Sequence, residues 1–192
     1  MISKSFTIGG LTYYVIILEL DSSYTITACT LNWTQVASEN GTGNVGSLPA
    51  ICRYGLTDTW AYRWYSGDVT FSNAVWGDPY QGAPKVGQYA SSASVTITPI
   101  PTNNYTTFIA QYSTTINVLP GNYAGTIKAT RSGLNFSLEA VQRPGYAFAG
   151  WYNGATLLTN KLNYSFSLNS NITLTAQFKE ILPGLYIKIN GH

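Results

Sequence analysis

The run from Arg143 to Gly154 reads Arg-Pro-Gly-Tyr-Ala-Phe-Ala-Gly-Trp-Tyr-Asn-Gly, and a second run from Leu174 to Lys179 reads Leu-Thr-Ala-Gln-Phe-Lys. Both set large aromatic rings among glycines and small residues, a pattern suited to short strands joined by tight turns. A weaker copy of the pair lies upstream, in Trp60 to Gly67 (Trp-Ala-Tyr-Arg-Trp-Tyr-Ser-Gly) and Phe108 to Tyr112 (Phe-Ile-Ala-Gln-Tyr). The two halves of the copy align at unequal offsets, which places an insertion in the first copy at about residues 76–92. Repetition at domain scale, with no catalytic motif in the shared part, predicts a scaffold or a binding surface. The expected organisation is an all-β protein of two tandem small domains, residues 1–112 and 113–180, followed by a tail over 181–192.

Composition narrows the function classes. Only 9% of the 192 residues are charged, against about 25% in an average soluble protein. The 45% hydrophobic content excludes ordinary disorder. Fifteen Tyr and five Trp among many Ser, Thr and Asn fit half-buried strands joined by Asn/Gly turns. A net charge of +2, scattered along the chain, does not predict nucleic-acid binding, which needs clustered Lys and Arg.

The apolar stretch Tyr13 to Leu18 follows Lys4 but fails as an export signal, because Gly9, Gly10 and Thr12 interrupt its approach and Glu19 and Asp21 follow at once. It is also too short to cross a bilayer, so no membrane insertion is expected. An uncleaved chain with the composition of an extracellular protein suggests a virion component assembled in the host cytoplasm. Cys29 and Cys52 could form one disulfide in an oxidising compartment, but their apolar neighbours favour two free, buried thiols. Sequons at Asn32, Asn40, Asn104, Asn135, Asn163 and Asn171 are the chance yield of a chain rich in Asn, Ser and Thr.

Along the chain, Leu11 to Leu20 and Tyr24 to Trp33 read as the two arms of a hairpin across Asp21-Ser-Ser. In the second arm Tyr24, Ile26, Ala28 and Thr30 alternate with Thr25, Thr27 and Cys29. Glu39 to Gly46 reads as a flexible loop. Its Gly41, Gly43 and Gly46 match a dinucleotide-binding spacing only formally, since no helical pattern follows to receive a pyrophosphate. The insertion, with Gly77, Asp78, Pro79, Gly82 and Pro84, is rich in turn formers and longer than most connections. Trp76, Tyr80 and Gln81 within it are therefore the candidate surface contacts. Further strands are expected at Ser94 to Thr98 and Thr106 to Tyr112. In the second copy they fall near Thr115 to Leu119, Gly125 to Thr130, Asn135 to Gln142, Ala147 to Tyr152, Asn163 to Leu168 and Ile172 to Phe178.

In the second copy Pro144 and Gly145 reverse the chain just before a strand. Strict alternation then puts Tyr146, Phe148 and Gly150 on one face and Ala147, Ala149 and Trp151 on the other. Trp64, Tyr146, Phe148, Trp151 and Phe178 are the expected structural core. The segment Pro-Gly-Tyr-x-Phe-x-Gly-Trp ending at Trp151, preceded by Leu138-Glu-Ala140 and closed by the run Asn171 to Phe178, resembles the InlB B-repeat group, the Listeria–Bacteroides repeat. The resemblance covers about 65 residues and implies a small β-grasp-like domain completed by a final aromatic strand. Upstream, Gly55 to Trp64 lacks the Pro-Gly-Tyr element, so the first domain is either a divergent copy or a different, Ig-like β domain carrying the insertion.

The tail from Leu185 to Gly191 resembles Tyr-x-Lys-x-Asn-Gly segments near the C-termini of many phage structural proteins. Its Leu185, Ile187 and Ile189 alternate with Tyr186 and Lys188, so it is a candidate strand for pairing with the open edge of a neighbouring subunit.

The only histidine is the last residue, His192, which removes imidazole-based triads and His-metal sites from consideration. Asp58, Asp68 and Asp78 lie near aromatics, yet turn formation explains two of them more simply, and no alternating Asp/Asn calcium loop is present. Neither an enzyme nor a cofactor is expected. Carbohydrate binding competes more seriously: Trp60, Tyr62 and Trp64 share one face of a strand, and such a face serves either a sugar or a core. The expected function is thus a non-enzymatic structural virion protein of a bacteriophage, such as a capsid decoration, head-fibre or tail-associated subunit. Its partners would be other virion proteins and copies of itself, with a host-surface glycan as a further ligand. The alternative is a bacterial cell-surface adhesin or carbohydrate-binding module.

Overall fold

The computed structural model describes residues 1–99 and 106–181. In chain order the elements are β1 (Ile2–Ile8), β2 (Leu11–Ile17), β3 (Thr25–Ser38), β4 (Gly41–Asn44), β5 (Ala50–Leu56), β6 (Thr59–Tyr65), β7 (Asp68–Phe71) and the single helical turn α1 (Asn73–Trp76). There follow β8 (Val86–Thr98), β9 (Thr107–Ala110), β10 (Thr114–Leu119), β11 (Gly125–Ser132), β12 (Asn135–Gln142), β13 (Tyr146–Asn153), β14 (Thr156–Thr159), β15 (Asn163–Ser167) and β16 (Ile172–Glu180). The protein is all-β, as its composition and alternation predict. Its contacts divide the chain into two compact units. One is Met1–Thr115 with Arg131–Asn135 and Ser167–Ile172; the other is Ile116–Thr130, Phe136–Phe166 and Thr173 onward.

In the first unit, sheet β1-β2-β9 faces sheet β3-β8-β5-β6, and the small ribbon β4-β7 covers part of the opposite face of the latter. The larger sheet is therefore packed on both sides. Val15 and Ile17 from β2 meet Ile26 and Leu31 from β3, Ile51 from β5 and Ile97 from β8 in one core. The second core joins Cys52 and Tyr54, on the other face of β5, to Val69, Phe71 and Trp76. Gly87 is what lets Phe71 lie flat on β8, since a Cβ there would stand 2.1 Å from the Phe71 ring.

Long-range pairing replaces several connections that were expected to be local. Leu11 to Leu20 and Tyr24 to Trp33 are not the two arms of one hairpin: β2 pairs with β1 and β9, while β3 runs antiparallel to β8 over almost its whole length. Glu39 to Gly46 is not an open loop either, because Gly41 to Asn44 form β4 and pair residue for residue with β7. The insertion is shorter than expected. It ends at Lys85, and Val86 already belongs to β8, whose strand character continues through Ser92. Both cysteines are free, and Cys52 is buried as expected, but Cys29 is only half-buried.

The second unit holds sheets β10-β16-β13-β14 and β11-β12-β15. The strands expected in the second copy are present, joined by the short β14. Trp151 is fully buried and its ring lies 6.3 Å from that of Tyr164, so it joins the two sheets. Its indole N–H donates to the Leu162 carbonyl at 3.1 Å. Phe178 is also buried, whereas Tyr146, Phe148 and, in the first unit, Trp64 are half-buried. Strict alternation fails in β13: Phe148 pairs with Phe178 but Gly150 pairs with Gln177, so Ala149 is an extra, bulged residue. The bulge turns Trp151 to the same side as Phe148, and their rings meet edge to face at 5.6 Å. Strand β13 lies inside its sheet while β6, its expected counterpart, lies at an edge. The pairing strand expected from Leu185 to Ile189 lies outside the described residues.

Candidate functional site

Of the three candidate surface contacts in the insertion, Tyr80 and Gln81 are exposed, but Trp76 is a core residue with 4% of its surface accessible. Its ring stacks on Phe71 at 5.3 Å and 13°, lies 5.2 Å from Tyr65, and donates its indole N–H to the Thr70 carbonyl at 2.9 Å. The physical reason is the helical turn α1, which swings Trp76 inward over the ribbon β4-β7 instead of leaving it on the loop.

The rest of the insertion is tied down by charge. The Lys85 side chain is almost fully enclosed and reaches Asp78 at 2.9 Å, Glu39 at 3.3 Å and the Ala83 carbonyl at 2.9 Å. Hydrogen bonding to Asp78 is the main force holding the Lys85 ammonium above its ordinary value; desolvation opposes it and Glu39 adds to it. For Glu39, desolvation pushes the carboxyl upward. The hydrogen bonds from the Lys85 backbone and ammonium, with one from Tyr54, outweigh that push and leave it below the usual range. The Tyr54 hydroxyl also lies 3.0 Å from the Asn73 side-chain oxygen, so its single proton is shared between Glu39 and α1. Of the other two aspartates singled out above, Asp68 accepts from the Asn44 amide at 2.6 Å and Asp58 from the Thr57 and Thr59 hydroxyls. All three aspartates thus hold turns and strand ends together. Among the described residues no group of His, Cys, Asp and Glu is arranged to hold a metal.

The aromatic face of β6 is divided in use. Tyr62 and Trp64 pack against the first core, and the Gly9 turn closes on Tyr62: a Cβ at Gly9 would stand 2.0 Å from its ring. Trp60, nearer the other end of the strand, instead lies against Arg53, whose guanidinium carbon is 3.9 Å from its ring centre. Trp33 covers Arg53 as well, at 4.2 Å. The register explains how three strands supply one stack. Gln35, Gln88, Arg53 and Tyr62 form a single row across β3, β8, β5 and β6. Trp33 sits opposite Ala90, whose small side chain lets the indole reach over β8 towards Arg53. On the far side Gly55 lies opposite Trp60 and presents nothing to displace its ring. Each cation–π contact contributes about 0.5–1 kcal/mol at a partly exposed position. The Gln88 side chain accepts from Arg53 Nε at 2.7 Å, and the Thr57 carbonyl from Trp60 Nε1 at 2.7 Å, so both groups are fixed.

Of this cluster the sequence pattern marks Trp60 but not Trp33 or Arg53. Arg53 lies between Cys52 and Tyr54, both fully enclosed. A cation inside such an apolar run was the available signal, since charges on buried strands need partners.

Residues 112–182 match the family model of the divergent InlB B-repeat domain. The resemblance carried by the Pro-Gly-Tyr-x-Phe-x-Gly-Trp segment therefore holds, and the C-terminal part of the chain is such a repeat. No curated protein and no solved structure matches the chain.

Proposed function

We propose that this protein is a non-enzymatic structural subunit of a bacteriophage particle, a capsid decoration, head-fibre or tail-associated protein that works through contacts with other virion proteins and with copies of itself. The observation that carries the reading is the open edge formed by β14. This strand ends its sheet, and its Leu157 and Leu158 are exposed at 49% and 37%, with Leu162 just beyond at 41%. Edge strands are ordinarily guarded by charge or proline, and Thr156 to Thr159 has neither. By its alternating sequence alone, the segment Leu185, Tyr186, Ile187, Lys188 and Ile189, which lies outside the described residues, would suit pairing with the edge of a neighbouring copy. Sedimentation of the full chain over a range of concentrations tests the reading. The expected result is a defined oligomer that Leu158→Lys dissociates; a strict monomer at every concentration refutes it.

The second reading, a bacterial surface adhesin or carbohydrate-binding module, is favoured by the stack of Trp33, Arg53 and Trp60. The two readings differ in whether the principal partner is a protein or a glycan.

A further inference from the structure

We propose that Arg53, held between Trp33 and Trp60, is the carboxylate-binding residue of a site for an acidic saccharide on the first unit. The inference deepens the carbohydrate-binding reading by specifying the charge of the ligand, and it is independent of the assembly reading.

Three observations converge on it. First, Arg53 carries an uncompensated charge: among the described residues no carboxylate pairs with it. Its only hydrogen bond there is the one from Nε to Gln88, which leaves both terminal nitrogens without a protein partner. Second, those nitrogens are not sealed in. Among the described residues the sole enclosed side-chain polar atom without a partner is the Thr114 hydroxyl, so the Arg53 nitrogens keep access to solvent. Third, the guanidinium is rigid before any ligand arrives. Two indoles pack against it at 4.2 and 3.9 Å and Gln88 holds one edge, so the remaining donors form a fixed planar fork of the kind that takes a carboxylate through two parallel hydrogen bonds. Fixing the donors in advance removes much of the ordering cost of binding.

The surroundings select among carboxylates. Trp33 and Trp60 are each half-buried, so part of each indole wall beside the fork is left to offer apolar contact to whatever carries the acid. A pyranose ring presents flat C–H faces to such walls, while the short, flexible stem of an aspartate or glutamate side chain covers little of them. The amide of Gln35, in the same row and exposed, and the indole N–H of Trp33, which has no partner among the described residues, provide neutral groups for ring hydroxyls. No second cation belongs to the row of Gln35, Gln88, Arg53 and Tyr62, so one carboxylate per site is matched rather than a densely charged polyanion.

The test is calorimetric titration of the full chain with a glucuronate-terminated oligosaccharide and with the same oligosaccharide after its carboxyl has been reduced to the alcohol. Indole N–H resonances of the five Trp are followed in parallel. The expected result is binding of the acidic form at least tenfold tighter than the reduced form, with shifts at the Trp33 and Trp60 indoles. Arg53→Lys keeps the charge but loses the fork, and should remove most of the preference; its urea midpoint confirms that it is folded. Trp60→Leu should weaken the acidic ligand while leaving Arg53 in place. Equal affinity for both saccharides, or a preference that survives in Arg53→Lys, overturns the inference while leaving the carbohydrate reading intact. No binding of either saccharide overturns both. Tighter binding of a tetraglutamate peptide than of the acidic saccharide also overturns it, in favour of a protein partner.

Discussion

Replacing Trp76 separates a core residue from a surface contact more sharply than any other single change. Its indole has 4% of its surface accessible, meets Phe71, Tyr65 and Tyr54 at 5.3, 5.2 and 6.1 Å between ring centres, and gives one hydrogen bond to the Thr70 carbonyl. Truncation to alanine removes the transfer free energy of the ring and leaves a cavity among three aromatics that cannot fully collapse, a loss of about 3–5 kcal/mol. Trp76→Phe keeps a ring against Phe71 but drops the N–H to Thr70 and part of the volume, at a cost of about 1–2 kcal/mol. Urea unfolding at 25 °C, followed by near-ultraviolet circular dichroism, reports both. With a slope of about 2 kcal/mol per molar urea, Trp76→Ala should lower the midpoint by about 1.5–2.5 M and Trp76→Phe by less than 1 M. A Trp76→Ala loss below about 1 kcal/mol, with the Phe and Ala variants alike, would refute the packing argument and return Trp76 to the surface.

The contribution of the Glu39–Lys85 network to stability should be flat near neutral pH and fall on both sides. The Glu39 carboxyl is lowered in the fold, so its contribution is complete above the unfolded carboxylate value near 4.5 and is lost as pH falls through the folded value. The Lys85 ammonium is raised, so its contribution is complete below 10.5 and is lost as pH rises through the folded value. Urea midpoints at pH 3, 7 and 11 check both limbs, and Glu39→Gln should lose part of the acid limb; an unchanged limb in that variant contradicts the network. Gly9→Ala should destabilise by about 2 kcal/mol or more, because φ is +52° there and the new Cβ meets the Tyr62 ring; a neutral thermal midpoint would show that the turn moves away freely. Burial pushes the Cys52 thiol up to about 12, so under native conditions iodoacetamide should label half-buried Cys29 well before Cys52, with both labelled after unfolding. Equal labelling rates in the native protein would place Cys52 outside the core.

Local sequence determined the class of fold and much of the second unit. Alternating apolar and polar residues between Gly, Pro and Asn turns can form little but strands, and Asn135 to Gln142 reads as a strand from that pattern alone. The Pro-Gly-Tyr-x-Phe-x-Gly-Trp segment likewise carries its turn and its buried Trp151 within a dozen residues. Tertiary structure decided what local pattern cannot carry. The partner of β3 is β8, about sixty residues on, a pairing that nothing within β3 itself specifies. Bulges reset the faces: the extra residue at Thr27 brings Ile26 and Cys29 to the same core, as Ala149 does for Phe148 and Trp151. Trp76 and Trp60 show the same division. Both are aromatic residues near turns, and nothing in their immediate sequence separates them. One turns inward because α1 carries it over the ribbon β4-β7. The other turns to Arg53 because Gly55 and Ala90 leave room for two indoles around one guanidinium, a juxtaposition of three strands that exists only after the sheet has formed.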